Sequence, residues 1–280
     1  MKPVRVVDRQ IWRESGLSSG RRSIPEETAV ALTYDGGTYA VMMATPQDLQ
    51  DFAVGFSLNE GVINSAVDIE SFDMVPLDDG VELRMWLSKP KAHRLQDRRR
   101  HIASPTGCGL CGIDSIAEAM RPAAIIEQGQ QFSSEQIMVA MQNLPMHQKL
   151  NIETRAVHAA AFWGFKSGIV ALREDVGRHN ALDKLSGALA RASVVASEGI
   201  ILLTSRVSVE MVQKSAAIGA PVMVSVSAPT ALAVAWRMQR VSHLPPLRAR
   251  TDSKCSRIPT AFHLEPLPMS PIGEGSTHGT

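Results

Sequence analysis

Residues 199–236 read GIILLTSRVSVEMVQKSAAIGAPVMVSVSAPTALAVAW. Gly199 to Thr204 is a short apolar run of strand length, and Thr204-Ser205-Arg206-Val207-Ser208 breaks it with small polar residues. The segment from Ser208 to Ile218 has helical spacing, Pro221 to Val226 is again β-rich, and Ser225-Val226-Ser227-Ala228-Pro229-Thr230 leads into a helix over Thr230 to Met238. Strand and helix alternate twice, which argues for helices laid against a sheet in an α/β layer. Upstream the pattern continues. Ile152–His158 and His158–Trp163 lead into a strand at Gly168–Arg173, and Asn180–Ala192 is a helix with apolar Ala181, Leu182, Leu185, Ala188 and Leu189. Ser133 is placed to cap a further helix.

The amino-terminal part has a different rhythm. TAVALTY at 28–34 and the apolar run Tyr39 to Met43 flank Asp35-Gly36-Gly37, which predicts a hairpin. Thr45 and Pro46 suggest a helix start, with Leu49, Phe52, Ala53 and Phe56 on its buried side. Two more strands are expected around Asp78-Asp79-Gly80 within 71–87. These elements predict a small α+β domain over 24–104, preceded by a flexible arm over 1–23. Residues 237–280 hold six of the 16 prolines and no clear period, and so predict an atypical, disordered or divergent tail.

Composition narrows the function classes. With 280 residues and 44% apolar content, the chain can build a sizeable core in about two domains. Lys plus Arg is 29 and Asp plus Glu is 28, which excludes a general nucleic-acid-coating protein. Apolar runs are far shorter than the roughly 20 residues of a membrane helix, so no membrane is expected. The N-terminus has no signal-peptide pattern. Three cysteines, Cys108, Cys111 and Cys255, are too few and too odd for a secreted disulfide framework, and point to the cytoplasm.

Four segments could carry chemistry. In Thr106-Gly107-Cys108-Gly109-Leu110-Cys111-Gly112, glycines surround two thiols just after a basic run that includes Arg98–Arg100, with a helix expected over Ile113–Met120. A thiol near a helix start and near cations has its thiolate favoured. The pair is compatible with a redox couple, half of a zinc site completed by residues such as His93 and His101, a sulfur-carrying thiol, or two ordinary cysteines in a turn. Arg173-Glu174-Asp175-Val176-Gly177-Arg178-His179-Asn180 sits at a strand-to-helix turn, where α/β sheets bind ligands. Arg178 and the following amides could hold a phosphate, and His179 could donate to an anion or act as an acid or base. A plain helix cap built from Asp175 and Asn180 fits the same residues. The turns at 204–208 and 225–230 could seat a nucleotide, or simply cap helices through Ser208 and Thr230.

Taken together, GGTYAVMMATPQDLQDFAVGFSLNEGVI, TGCGLCG, EDVGRHNALDK, SRVSVEMVQKSAAIG and SVSAPTALAV resemble the FdhD family of formate dehydrogenase accessory sulfurtransferases, in that family's order over roughly residues 24–236. The resemblance implies a cytoplasmic homodimer whose C-terminal α/β domain is like that of cytidine deaminases. It implies a sulfurtransferase that takes sulfur as a cysteine persulfide from an IscS-type cysteine desulfurase. That sulfur goes to the molybdenum cofactor, in its bis-molybdopterin guanine dinucleotide form, for formate dehydrogenase. Cys108 matches the family's persulfide-bearing cysteine and Cys111 the second one. Val224, Ser225, Val226, Ser227, Ala228 and Pro229 match the segment for the guanine nucleotide, a GDP-like moiety, with Arg178 and His179 expected to line the ligand. In these terms 105–125 is a mobile CGxCG loop with its helix, and 126–236 the cofactor-binding domain.

Two positions depart from the family pattern: Arg155 stands where a Gly is common after Thr154, and no final strand is recognisable after about Trp236. Two other readings compete. A non-catalytic cofactor chaperone would use the same turns. A zinc deaminase wants H-x-E before P-C-x-x-C, whereas the one H-x-E here is His263-Leu264-Glu265, after the cysteines.

Overall fold

The structure is a computed structural model that describes residues 1–88, 126, 129–240 and 260–263. The 28–44 hairpin forms as its sequence predicts. β3 (Thr28–Tyr34) and β4 (Gly37–Ala44) are antiparallel, and the two-residue link Asp35-Gly36 has φ of 48° and 78° at its two positions. Positive φ at both positions is what a tight hairpin turn of this hand requires, and Gly36 adopts it without strain. Helix α1 (Leu49–Asn59) then crosses over to β5 (Ile69–Leu77) and β6 (Gly80–Leu87). The four strands lie in the order β4-β3-β6-β5, with β3 and β6 parallel. One face of this sheet buries Val30, Leu32, Tyr34, Leu83 and Met85 against Phe52 and Phe56 of α1. The opposite face meets solvent, so β4 alternates between buried and exposed residues along part of its length.

Thr45 does not begin a helix. α1 starts four residues later, after Asp48 in a left-handed conformation, because the polar atoms of Thr45 are used elsewhere. Its N–H donates to Asp175, its hydroxyl accepts from Val176 N–H, and its carbonyl accepts from Lys184.

The arm expected over 1–23 is instead a long antiparallel ribbon, β1 (Val4–Arg13) and β2 (Gly16–Pro25), turned at Gly16 with φ 102°. β2 is mostly polar, the apolar residues of β1 do not alternate regularly, and neither strand has a fully buried position, so hydrophobic alternation gives no warning of them.

The carboxyl-terminal layer is α/β/α. α2 (Ser134–His147) and α3 (Lys149–Thr154) precede β7 (His158–Gly164) and β8 (Gly168–Asp175). α4 (Arg178–Arg191), β9 (Gly199–Leu203), α5 (Val209–Ile218), β10 (Val222–Ser225) and α6 (Ala231–Arg240) follow. Residues 152–154 therefore end a short helix and are not strand. Ser133 caps α2 reciprocally with Gln136. The sheet order is β11-β10-β9-β7-β8, where β11 is Thr260–His263 from the presumed tail, paired antiparallel to β10. That strand is four residues long and pairs across a wide sequence gap, so no local signal marks it. Along β9, Ile200 and Leu202 face α2 while Ile201 and Leu203 face α4 and α5, giving two cores on one sheet.

The amino-terminal domain rests on the outer side of α4. Helices α1 and α4 cross closely through facing glycines. A Cβ on Gly55 would stand 1.7 Å from the Asp183 carbonyl oxygen, and one on Gly187 would stand 1.9 Å from that of Asp51. Consequently α4 is buried along most of its length, on one side by the sheet and on the other by α1.

Candidate functional site

β9 and β10 run parallel, while β7 is antiparallel to β9 and β8 antiparallel to β7. This topology brings the ends of β8, β9 and β10 and the start of β7 to one edge. The three polar turns singled out in the sequence therefore meet there. Thr204 accepts a hydrogen bond from Ala159 N–H through its hydroxyl, at 2.8 Å. Ser225, fully buried, donates to the Ser205 carbonyl at 2.5 Å and accepts from Ser227 N–H at 3.0 Å. Val207 bridges Pro229, and Thr230 N–H donates to the Val207 carbonyl. The two turns are thus fixed to each other.

At the neighbouring turn, Gly177 is the N-cap of α4 with no side-chain cap. Asp175 is turned back to accept from Gly177 N–H and from Asn180 Nδ2, so it shapes the turn without capping the helix. The α4 amino terminus thus keeps uncapped donors and a positive dipole end. Arg178 Nε is buried with no hydrogen-bond partner. His179 Nε2 lies 2.5 Å from Glu210 Oε2 but off the hydrogen-bond direction, so this buried nitrogen also lacks an aligned partner. Burial pushes the Glu210 carboxyl up, yet His179, Lys214 and Arg178 outweigh it and hold it below the usual carboxylate range. His158, at the start of β7, is held below the ordinary histidine value by burial and then by the Arg178 charge. The edge therefore joins a cation with an unused donor, an imidazole held below its ordinary pKa and an open helix start. Those are the parts of a phosphate or diphosphate seat.

Behind the edge, buried charges tie the two domains together. Lys184 and Asp175 form a wholly buried pair at 2.6 Å. Burial pulls the Lys184 ammonium below its ordinary value, against the pull of Asp175. Asp51 accepts from Arg173 and Arg191. Asp183 accepts both Lys214 hydrogen bonds at 2.7 Å and a third from Asn59. Burial works against the Lys214 charge, but Asp183 and Glu60 hold its pKa above the ordinary lysine value. These groups turn ionic residues of EDVGRHNALDK into the mortar of the domain seam.

The predicted site residues divide clearly. Arg178, His179, Val226, Ser227, Ala228 and Pro229 reach the edge or its rim, with Ala228 exposed. Val224 packs in the core and Ser225 spends its hydroxyl on the turn, so both support the segment from within. Cys108 and Cys111, with the helix expected over 113–120, lie outside the described residues. Thr230 does cap α6, accepting from Ala233 N–H, whereas Ser208 occupies the α5 N-cap and its hydroxyl turns to Glu210 instead. Sequence reasoning missed His158. Its signal was its place at the head of a strand whose neighbours all end in polar turns.

The FdhD/NarQ family model matches residues 25–239. The chain belongs to the FdhD/NarQ family. It is 49% identical over 231 residues to a protein of Agrobacterium fabrum named "Sulfur carrier protein FdhD", covering 82% of this chain and 85% of that one. Proteins of the same name from Brucella abortus and Cupriavidus necator are 50% and 46% identical, each over 223 residues. The first comparison covers 79% of this chain and 83% of the relative, the second 80% and 77%. A crystal structure described as a formate dehydrogenase accessory protein from Desulfotalea psychrophila superposes with a TM-score of 0.65. It covers 85% of this chain and 90% of its own at 22% identity, which shows the common fold. Among the described residues, no helix is long and apolar enough to cross a membrane.

Proposed function

We propose that this chain is a cytoplasmic, homodimeric sulfur carrier that serves formate dehydrogenase. The observation that carries the reading is the near-half identity, over most of both chains, to proteins named sulfur carriers. It is supported by an edge whose unpartnered Arg178 Nε and open α4 start suit an anionic, phosphate-bearing ligand.

In the proposed reaction the Cys108 thiolate attacks the outer sulfur of a persulfide on an IscS-type cysteine desulfurase. A Cys108 sulfur–sulfur bond forms, the donor's sulfur–sulfur bond breaks, and the donor leaves as a thiolate that takes up the persulfide proton. Cys111 is the second thiol of the loop. The substrate that receives the sulfur is the bis-molybdopterin guanine dinucleotide form of the molybdenum cofactor. Its guanine nucleotide lies against 224–229. Val226 to Pro229 supply the contact, Val224 and Ser225 hold the turn in shape, and Arg178 and His179 face the phosphates.

The test is mass spectrometry after incubation with desulfurase and cysteine. Gain of one sulfur atom at Cys108, absent in Cys108→Ala, is expected. A wild-type protein that gains none while formate dehydrogenase still matures overturns transfer and leaves a cofactor-binding chaperone.

A further inference from the structure

An edge that receives phosphates gains from cations and hydrogen-bond donors, yet this one holds a carboxylate. Glu210, the second residue of α5, is only 9% exposed, and its Oε2 lies 2.5 Å from His179 Nε2. Burial works against its charge, but His179, Lys214 and Arg178 hold the carboxyl low enough to be ionised at neutral pH. The Ser208 hydroxyl donates to the same oxygen at 3.4 Å. Lys214, four residues on, lies on the same face of α5. Its ammonium is committed to Asp183 at 2.7 Å and stands 3.9 Å from Glu60. Asp183 also accepts from Asn59 of α1 at 2.6 Å. A chain of charges therefore runs from the domain seam to the His179 ring.

Hydrogen-bond chemistry fixes the state of that ring. An ionised carboxylate only accepts, so a bare lone pair on Nε2 at 2.5 Å from Oε2 would set two acceptors against each other. Nε2 therefore carries a proton. It is also the buried nitrogen, so a ligand at the edge meets Nδ1. A phosphate oxygen accepts as well, so Nδ1 must carry a proton to bind it. A ring protonated on both nitrogens is an imidazolium. Among the described residues, the charged and titratable groups around it are Arg178 on its own helix, Glu210 and Lys214 on α5, His158 at the head of β7 and Asp175 at the end of β8. Arg178 opposes a second cation, and Asp175 is committed to Lys184. That leaves Glu210 to balance the imidazolium charge.

We propose that Glu210 is a positioning residue that makes His179 receive the ligand's phosphate as an imidazolium. Glu210 accepts from Nε2–H, Nδ1–H donates to a phosphate oxygen, and a ring that starts neutral takes its second proton from solvent as the anion binds. Contact at Nδ1 would also turn the ring into line with Oε2, since hydrogen bonds in such sites commonly tighten on binding. The inference deepens the reading that Arg178 and His179 face a nucleotide's phosphates, and rests on it.

Calorimetry with GDP at about pH 8, where the nucleotide's own phosphates are ionised, counts the protons when run in two buffers of different ionisation enthalpy. Binding by the wild type should take up as much as one proton per site. Glu210→Gln keeps the size of the side chain and should lose that uptake and bind GDP about tenfold more weakly. In a His179→Gln background, Glu210→Gln should weaken binding no further, because it acts through the ring. Histidine-ring NMR without nucleotide gives a second readout. The His179 ring, identified by its loss in His179→Gln, should stay doubly protonated to higher pH in the wild type than in Glu210→Gln. A wild type that does not bind GDP overturns the nucleotide reading, and the ring titration then decides the pair by itself. Identical ring titrations overturn the pair. GDP binding without proton uptake, or uptake that survives His179→Gln and so belongs to His158, overturns this inference and leaves the nucleotide seat standing. So does a Glu210→Gln loss of equal size in both backgrounds.

Discussion

The four-stranded sheet and the seam beside it use the same helix, α1, in opposite ways. Toward its own sheet, α1 presents Phe52 and Phe56 to an apolar core in which Tyr34 is among the few polar-bearing side chains. Toward α4 it presents Gly55, Asp51 and Asn59, and meets the buried carboxylate of Asp183 and the half-buried guanidiniums of Arg173 and Arg191. The apolar core is tolerant of volume-conserving exchange. The seam is not, because each buried charge there depends on a few specific partners. The difference locates specificity. The apolar side makes the domain fold, and the ionic side fixes how it sits on α4 and hence where Arg178 and His179 emerge.

The largest effect is expected at the glycine crossing. Gly187→Val would drive a branched side chain into the Asp51 carbonyl and should cost roughly 5 kcal/mol. The check is chemical denaturation of soluble protein. The comparison would break if this variant were as stable as a conservative exchange such as Leu32→Met in the sheet core. Next, Lys184→Met leaves Asp175 buried without its cation and should cost about 3–5 kcal/mol. Loss of less than about 1 kcal/mol in a urea titration would show that the seam is not ionic in the sense argued here.

A smaller effect is pH-dependent. His158 has its folded pKa below the unfolded value, so the unfolded chain binds more protons in the window below about 6.5. Stability should therefore fall as pH drops through that window, and His158→Gln should flatten the dependence. An unchanged slope in thermal melts between about pH 5 and 7 would remove His158 from the edge's electrostatics. The smallest effect is expected at Arg155, which closes α3 with φ 57°. A left-handed conformation strains a side-chain-bearing residue, so Arg155→Gly should stabilise by up to about 1 kcal/mol, read as a raised melting temperature. A glycine at this position would adopt the same conformation without strain.

Much of the carboxyl-terminal layer was legible because short strands and polar turns alternate there, and Asp35-Gly36 announced its hairpin. The edge was legible as three turns, since parallel strands must end together. Residues whose partners are distant in sequence were not legible. Thr45 looks like a helix cap but bonds to residues 130 or more positions away. Gly55 and Gly187 sit in helical patterns where glycine is unfavourable by itself, and only that anomaly signals their close approach. Asp183 and Lys184 look like a solvated pair of opposite charges, yet they point to different partners, Lys214 and Asp175.

The central claim is that the edge around Arg178 receives the phosphates of a guanine nucleotide. Titration of the wild type and Arg178→Ala with GDP, followed by calorimetry, tests it most directly. The account predicts binding by the wild type and affinity at least about tenfold weaker in the variant, with the fold unchanged by circular dichroism. Equal affinity in both proteins, or no binding by the wild type, would contradict it.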